Sequence, residues 1–352
     1  MKSFLDEVAK EIINSGHSFE AIKIIVPSKR ATLFLKNSLS YQIDRPAFAP
    51  KIINIETFVE ELSGLKKSLP VELIYMFYSV YKNKTTEKNR DTFDQFLGWS
   101  KMVLSDFNQM DAYLVDQKTF FDFQFSLEEL QRWAIREDAN PIIKNQLEFW
   151  REMPELYNGL KELLWQNHQG TSGMLFREAV NNLEHYLQNN TNHHYFVGFN
   201  ALNEAEERII QEFLMAKQGN VIWDIDRYFF EDQVHSAGKF IRKYYRDWKI
   251  LMGSEVTLKD NFTKPKVIEM IGVSKNITQA KYAGQLATEL SENFPDEKTA
   301  VVLGNEALLI PTLSAISNAS LDWNVTMGLP IAETSVATFF EAFFNLHINA
   351  SE

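Results

Sequence analysis

Hydrophobic residues along the chain follow two different periods. Short runs rich in Ile and Val alternate with longer stretches whose apolar residues recur three and four positions apart. The first pattern is typical of buried strands and the second of helices with one buried stripe. Their alternation predicts βαβ units and a mainly parallel sheet, which is an α/β fold. The predicted strands are Ile22 to Val26, Ile52 to Ile55, Tyr195 to Val197, Val221 to Trp223, Val267 to Ile271 and Ala300 to Leu303.

Capping residues precede several of the helical stretches. Ser28 stands just before one of them, Asn203 is followed three residues later by Glu206, and Asn276 is followed by Gln279. A side-chain oxygen at such a position accepts a hydrogen bond from the free N–H groups of the first turn. We therefore predict that helices start at these three places.

Between about Pro70 and Gln188 only the helical pattern is present, which predicts a large all-helical insertion in the α/β domain. A polar stretch near Thr257 marks a second boundary, and we expect the last part to be the start of a second α/β domain that is cut before its end. The predicted domains are an α/β domain of residues 1–68 and 189–258, a helical insertion of residues 69–188, and a partial second α/β domain of residues 259–352.

Composition places the chain among folded soluble proteins, with 45% apolar and 24% charged residues. No apolar run approaches the roughly 20 residues that cross a bilayer, and the first residues do not resemble a signal peptide. We therefore expect a cytoplasmic protein without a membrane partner. The chain has no cysteine, which excludes disulfides, thiolate metal sites and cysteine nucleophiles.

The net charge of −11 argues against a general electrostatic grip on nucleic acid, so any such contact must be local. One candidate is the helix start after the first strand, where Ser28, Lys29 and Arg30 stand beside free N–H groups that can hold a phosphate. The alternative is a solvated first turn.

A second candidate is the stretch Gly238 to Lys249, in which five basic residues fall on one helical face and aromatic residues on the adjacent one. Cations can contact phosphates while rings stack on bases. Equally, the rings can belong to the core and the cations can be solvated or paired. The basic residues are Lys239, Arg242, Lys243, Arg246 and Lys249.

Nucleotide hydrolysis has no support in the sequence. A phosphate-binding loop needs glycines and a terminal Lys-Ser/Thr, but Pro27 follows the first strand and removes a donor. Asp224 and Asp226 end another strand and could serve a transferase-type enzyme or a metal. No histidine stands at metal-ligand spacing from these two acids. His193 and His194 are adjacent, so as strand residues they point to opposite faces and cannot readily share a metal. We predict no catalytic residue, no metal site and no cofactor.

The order of these segments resembles the amino-terminal half of AddB-type subunits of bacterial helicase-nucleases and related PD-(D/E)XK nuclease proteins, in which a superfamily 1 helicase region is inactivated. Val26 to Ala31 (VPSKRA) is similar to the family's V-P-S-x-R-A segment. Ala49 to Phe58 is similar to the segment that contacts single-stranded DNA, and Gly328-Leu329-Pro330 fits the second motor domain. The resemblance implies a RecA-like (P-loop NTPase-like) domain and adds Asn54 and Thr57 as DNA contacts.

The same resemblance identifies degenerate ATPase positions. Gly198 and Phe199 stand where active helicases have two acids, and Asp224 and Arg227 stand in the remnant of a sensor element. The resemblance implies that this chain is not itself an enzyme, and that a PD-(D/E)XK nuclease domain with magnesium, and in some cases an iron–sulfur cluster, lies downstream.

We therefore expect a DNA-binding and scaffolding region that acts in double-strand-break repair, on single-stranded DNA or broken ends, beside an active motor subunit. The alternative is a protein-interaction scaffold that does not touch nucleic acid, which the net charge favours.

Overall fold

The computed structural model describes residues 3–44, 46–87, 90–134, 141–295, 299–316 and 323–350. The chain forms two compact units, Met1–Lys264 and Pro265–Glu352. The strands, all in the first unit, are β1 (Ile22–Val26), β2 (Lys51–Asn54), β3 (Lys66–Lys67), β4 (Gln169–Gly170), β5 (His193–Val197) and β6 (Gly219–Ile222).

Twelve α-helices belong to the described part of the first unit and three to that of the second. Those of the first are α1 (Phe4–Asn14), α2 (Lys29–Gln42), α3 (Ile55–Ser63), α4 (Pro70–Lys84), α5 (Phe93–Ala112), α6 (Gln117–Ala134), α7 (Pro141–Gln166), α8 (Ser172–Asn181), α9 (Leu183–Asn189), α10 (Glu204–Met215), α11 (Arg227–Glu231) and α12 (Lys239–Asp247). Those of the second are α13 (Asn276–Asn293), α14 (Leu309–Ala315) and α15 (Ser335–Asn349).

A four-stranded parallel sheet with the order β2-β1-β5-β6 lies at the centre of the first unit, which is therefore an α/β structure. The first four predicted strands are confirmed to within two residues at each end. The two-residue strands β3 and β4 form a separate parallel pair.

Both faces of β1 are buried, as expected for a central strand of a parallel sheet. On one face, Ile24 packs in a cluster with Ile12 of α1 and Leu35 of α2. On the other, Ile25 belongs to a larger core that includes Phe58 of α3 and Phe213 of α10. Helices therefore cover the sheet on two sides.

A buried lysine ties the sheet to the helices. Lys23 is 6% exposed, and its Nζ lies 3.0 Å from Glu61 Oε2 and donates to the Tyr186 hydroxyl at 3.0 Å. Burial alone lowers the pKa of Lys23, but its hydrogen bonds to Tyr186 and Glu61 outweigh burial and raise that pKa. Lys51 pairs with the same carboxylate at 2.6 Å. This network holds α3 and α9 against the edge of the sheet where the strands begin.

Between β3 and β5 the chain forms α4 to α9, which pack around aromatic residues such as Phe77, Phe96 and Phe107. Helices α5 and α8 cross closely, because Gly173 presents no side chain to the carbonyl of Asn108. The buried Asp111 accepts a hydrogen bond from Arg177 Nε at 2.6 Å.

In the second unit α13 packs on α14, where Gly284 allows close approach to Ala315. The strands predicted at 267–271 and 300–303 are wrong, because the structure has no strand at either place. Val267 and Val302 are 94% and 89% exposed. An apolar run becomes a strand only when another strand satisfies its backbone groups, and none among the described residues pairs with these runs.

The predicted cap at Asn276 is also wrong. Helix α13 begins at Asn276, Lys275 occupies the capping position, and no side-chain hydrogen bond caps the helix. The predicted helix start at Asn276 is nevertheless confirmed. The other two starts are confirmed together with their caps, since Ser28 caps α2 and Asn203 forms a capping box with Glu206. Among the described residues, no helix is both long and apolar enough to cross a membrane.

Candidate nucleic-acid interface

The order of the strands defines a place where ligands commonly bind. From β1 the chain crosses to β2 on one side, whereas β5 and β6 lie on the other side of β1. The direction of winding therefore reverses between β1 and β5. In open parallel sheets, ligands bind beyond the carboxyl ends of the strands at such a reversal. Here these ends lead into Ser28 and Gly198.

At the end of β1, three of the predicted residues form the start of α2. The Ser28 hydroxyl oxygen accepts a hydrogen bond from the Ala31 N–H at 3.2 Å, so this side chain caps its own helix. Lys29 and Arg30 are exposed, and within the described ranges neither forms an ion pair. Two exposed cations therefore stand beside the N–H groups of the first turn of α2, an arrangement that suits a phosphate.

At the end of β2, Asn54 and Thr57 form the start of α3. Asn54 Oδ1 accepts a hydrogen bond from Thr57 Oγ1 at 2.7 Å and a longer one from Thr57 N at 3.4 Å. Asn54 is 6% exposed. Asn54 therefore acts as a helix cap, and Thr57 is the more accessible of the two.

The two residues that follow β5, Gly198 and Phe199, carry no polar side chain. Gly198 has a φ of +73°, a left-handed conformation that favours glycine. A Cβ atom at this position would lie 3.3 Å from the Phe4 ring of α1. Phe199 is buried in the core. Neither residue has a side-chain oxygen that could ligate a metal ion, and Pro27 has no N–H to donate.

At the end of β6, Asp226 has a structural role. Its Oδ1 accepts a hydrogen bond from Tyr228 N at 3.1 Å and caps α11, and its Oδ2 accepts from Asn261 N at 2.7 Å and Phe262 N at 3.0 Å. Arg227 pairs with Glu231 at 3.0 Å. The Asp226 carboxylate therefore joins the segment near residue 260 to the end of β6.

The neighbouring Asp224 lies near an ion pair between Lys259 and Glu7, whose charged atoms are 2.5 Å apart. Burial raises the pKa of Asp224, and Lys259 opposes this shift. No group of three or more acids or histidines suited to a metal ion occurs among the described residues.

The basic residues of α12 are largely engaged within the protein. Arg242 donates to the carbonyls of Phe229 at 2.6 Å and His235 at 2.7 Å, and Lys243 lies 2.7 Å from the nearly buried Glu207. Arg246 pairs with Asp247 at 2.6 Å. Of the predicted face, Lys239 is exposed at the start of the helix, whereas Lys249 follows its last residue.

The aromatic residues of this helix are also mostly internal. Tyr244 is fully buried and Trp248 is 2% exposed, and both pack near Trp223. The Tyr244 hydroxyl donates to the carbonyl of Asn200 at 2.9 Å. These two rings therefore belong to the core and cannot stack on bases, which is the alternative that the sequence left open.

His193 and His194 lie on opposite faces of β5, as predicted. His193 stacks on His17 with ring centroids 4.8 Å apart, whereas His194 is fully buried and lies 3.1 Å from the Tyr186 hydroxyl. Burial, and then the nearby charge of Lys23, lower the pKa of His194 to about 4.

Ser28, Lys29 and Arg30 lie together at one exposed helix start. Most of the basic residues predicted on α12 instead contact groups of the protein itself. Sequence reasoning missed two exposed aromatic residues of α2, Phe34 and Tyr41. Their spacing of four and eleven residues from Arg30, which places all three on one helical face, could have indicated them from the sequence. No protein-family model matches the chain. No curated protein matches it in sequence either.

Proposed function

We propose that the first unit is an inactivated, RecA-like helicase region that binds single-stranded DNA at the start of α2 and does not hydrolyse ATP. The observation that carries this proposal is that Lys29 and Arg30 are exposed at the point where the winding of the parallel sheet reverses, and that neither forms an ion pair with any residue that the structure describes. Phosphates are the ligands that suit such a helix start. The Ser28 hydroxyl at the end of β1 accepts from Ala31 N and can still donate its own proton, whereas the Thr57 hydroxyl near the end of β2 donates to Asn54.

The residues that lead us to propose the loss of ATP hydrolysis lie at the same edge of the sheet. Pro27, Gly198 and Phe199 replace the groups that would hold phosphate, magnesium and the attacking water. The chain would then bind DNA as a passive part of a repair helicase-nuclease, with a motor subunit that supplies ATP hydrolysis and a nuclease domain that cuts.

DNA binding is tested by fluorescence-anisotropy titration of labelled single-stranded DNA with the wild type and the variant K29A/R30A. The proposal predicts salt-dependent binding that the variant loses in large part. The matched control is K101A/K118A, which removes two exposed lysines from α5 and α6 and is expected to bind like the wild type. Equal affinity of all three proteins would reject the site.

Nucleotide binding is tested by thermal melting with magnesium and ATP. A ligand that binds the folded state and not the unfolded one raises the melting temperature, and the stabilisation grows with the logarithm of its concentration relative to its dissociation constant. We expect no shift. A clear stabilisation by magnesium-ATP would reject the inactivated-ATPase part of the proposal and would favour the transferase-type alternative.

A protein-interaction scaffold is the second candidate, and α15 supports it. None of its residues is buried, and Phe339, Phe340, Phe343 and Phe344 are 43–65% exposed. Exposed apolar surfaces of this kind are typical of protein contacts. A pure scaffold predicts no binding of single-stranded DNA by the wild type even at low salt, so the same titration separates the two functions.

A further inference from the structure

Helix α2 presents a basic and aromatic face to solvent. Arg30, Phe34, Asn37 and Tyr41 are spaced four, three and four residues apart, which places them in one line along a helix. Phe34 and Tyr41 are 52% and 87% exposed. The opposite face carries the buried Leu35 and Leu39, so the line points away from the core.

The charge of this helix differs from that of the whole chain. Helix α2 contains Lys29, Arg30 and Lys36 but no acid, although the chain has a net charge of −11. All three cations are exposed, and within the described part of the chain none forms an ion pair. This distinguishes α2 from α12, whose Lys243 and Arg246 are paired with acids.

Two of the three acids of the neighbouring helix α1, Asp6 and Glu7, already have partners. Asp6 accepts hydrogen bonds from the N–H and the hydroxyl of Ser3 in a capping box, and Glu7 is paired with Lys259. Helix α2 itself carries three cations and no acid, and a polyanion with planar groups is the electrostatic and steric complement of such a surface.

We infer that the outer face of α2 is a track for single-stranded nucleic acid, on which bases stack against Phe34 and Tyr41 while Arg30 contacts phosphates. The inference rests on the proposed function and extends it, because the strand leaves the helix start and follows the helix axis. Aromatic rings accept any base, so the track reads no sequence. Leu33, 58% exposed, adds apolar contact beside the rings.

The test compares the wild type with F34A/Y41A in anisotropy titrations of an oligothymidylate of about 20 nucleotides. A strand of the same length and charge without bases serves as the second probe. We expect F34A/Y41A to weaken binding of oligothymidylate about tenfold or more, with an unchanged salt dependence, since the lost contacts are not ionic. The strand without bases should bind wild type and variant equally.

The matched control is Y113A/F123A, which removes two exposed rings (56% and 58%) from the helical region and should bind like the wild type. Both substitutions in F34A/Y41A are at exposed positions, and an unchanged melting temperature verifies that the variant is folded. A conservative variant, F34W/Y41W, should restore affinity because tryptophan also stacks.

The outcomes separate the track from the proposed function. If K29A/R30A weakens binding but F34A/Y41A does not, the track is overturned and the proposed function stands. If the wild type does not bind oligothymidylate at low salt, both are overturned. If F34A/Y41A loses affinity equally for the strand without bases, the rings do not stack on bases and the inference is wrong.

Discussion

The Lys243 ammonium lies 2.7 Å from a carboxylate oxygen of Glu207, whose side chain is only 10% exposed. The other oxygen of that carboxylate accepts a hydrogen bond from Trp248 Nε1 at 3.2 Å. Lys243, which the sequence suggests as a DNA contact, is therefore one of two donors that stabilise the nearly buried negative charge of Glu207.

Replacing Lys243 should consequently lower stability rather than DNA affinity. In K243M, Glu207 keeps its hydrogen bond from Trp248 but loses its cation, and we expect the free energy of unfolding to fall by about 1–3 kcal/mol. Urea unfolding measures this change. The control is K239M on the same helix, an exposed position where a change within about 0.5 kcal/mol is expected. Equal losses in the two variants would contradict the role of the ion pair.

His194 should make the protein less stable in acid. Its pKa is about 4 in the folded state, against an ordinary value of 6.5, because it is buried and lies near Lys23. Between these pH values the unfolded chain binds the proton and the folded one does not. The free energy of unfolding therefore increases with pH through this window, and the contribution is fully present above it.

The variant H194Q removes this titration. The slope of the free energy of unfolding against pH, measured by urea unfolding from about pH 4 to 6.5, should fall by as much as about 1.4 kcal/mol per pH unit. H185Q makes the same substitution at an exposed histidine of α9 and serves as the control for the replacement of histidine by glutamine. An identical slope in H194Q and the wild type would show that His194 does not titrate abnormally.

Gly173 should tolerate no side chain. A Cβ atom there would lie 1.9 Å from the carbonyl oxygen of Asn108, which is backbone and cannot turn away. G173A must push α8 from α5, and we expect a loss of about 3 kcal/mol. At Gly98, within α5, a Cβ would meet nothing within 4 Å, so G98A should stabilise by up to about 1 kcal/mol. Thermal melting that ranks the two variants in the reverse order would contradict this packing.

The sheet of the first unit could be predicted because each strand carries its own apolar run and each crossover its own helical period. Ile22 to Val26 is buried on both faces and reads as continuous Ile and Val apart from Lys23. The same local signal failed at Val267 to Ile271, because a strand also depends on a partner strand that no local pattern reveals. The cap prediction failed at Asn276 because the helix begins one residue earlier than a cap at this position requires. Asn276 is the first helical residue, and Lys275 occupies the capping position.

The candidate site could be predicted only in part. Spacing shows which residues share a helical face, but not whether that face meets solvent or another helix. On α12 the partner of Lys243 is Glu207, which is 36 residues earlier in the chain. On α2 the spacing of Arg30, Phe34 and Tyr41 was visible in the sequence, whereas the outward direction of that line was not.

The most direct test of DNA binding at the start of α2 is the salt dependence of affinity for single-stranded DNA in the wild type and K29A/R30A. The slope of log K against log salt concentration is negative, and each lost phosphate contact makes it shallower by about 0.7. If Lys29 and Arg30 both contact phosphates, the slope should become shallower by about 1.4. Parallel lines for the two proteins would contradict the site.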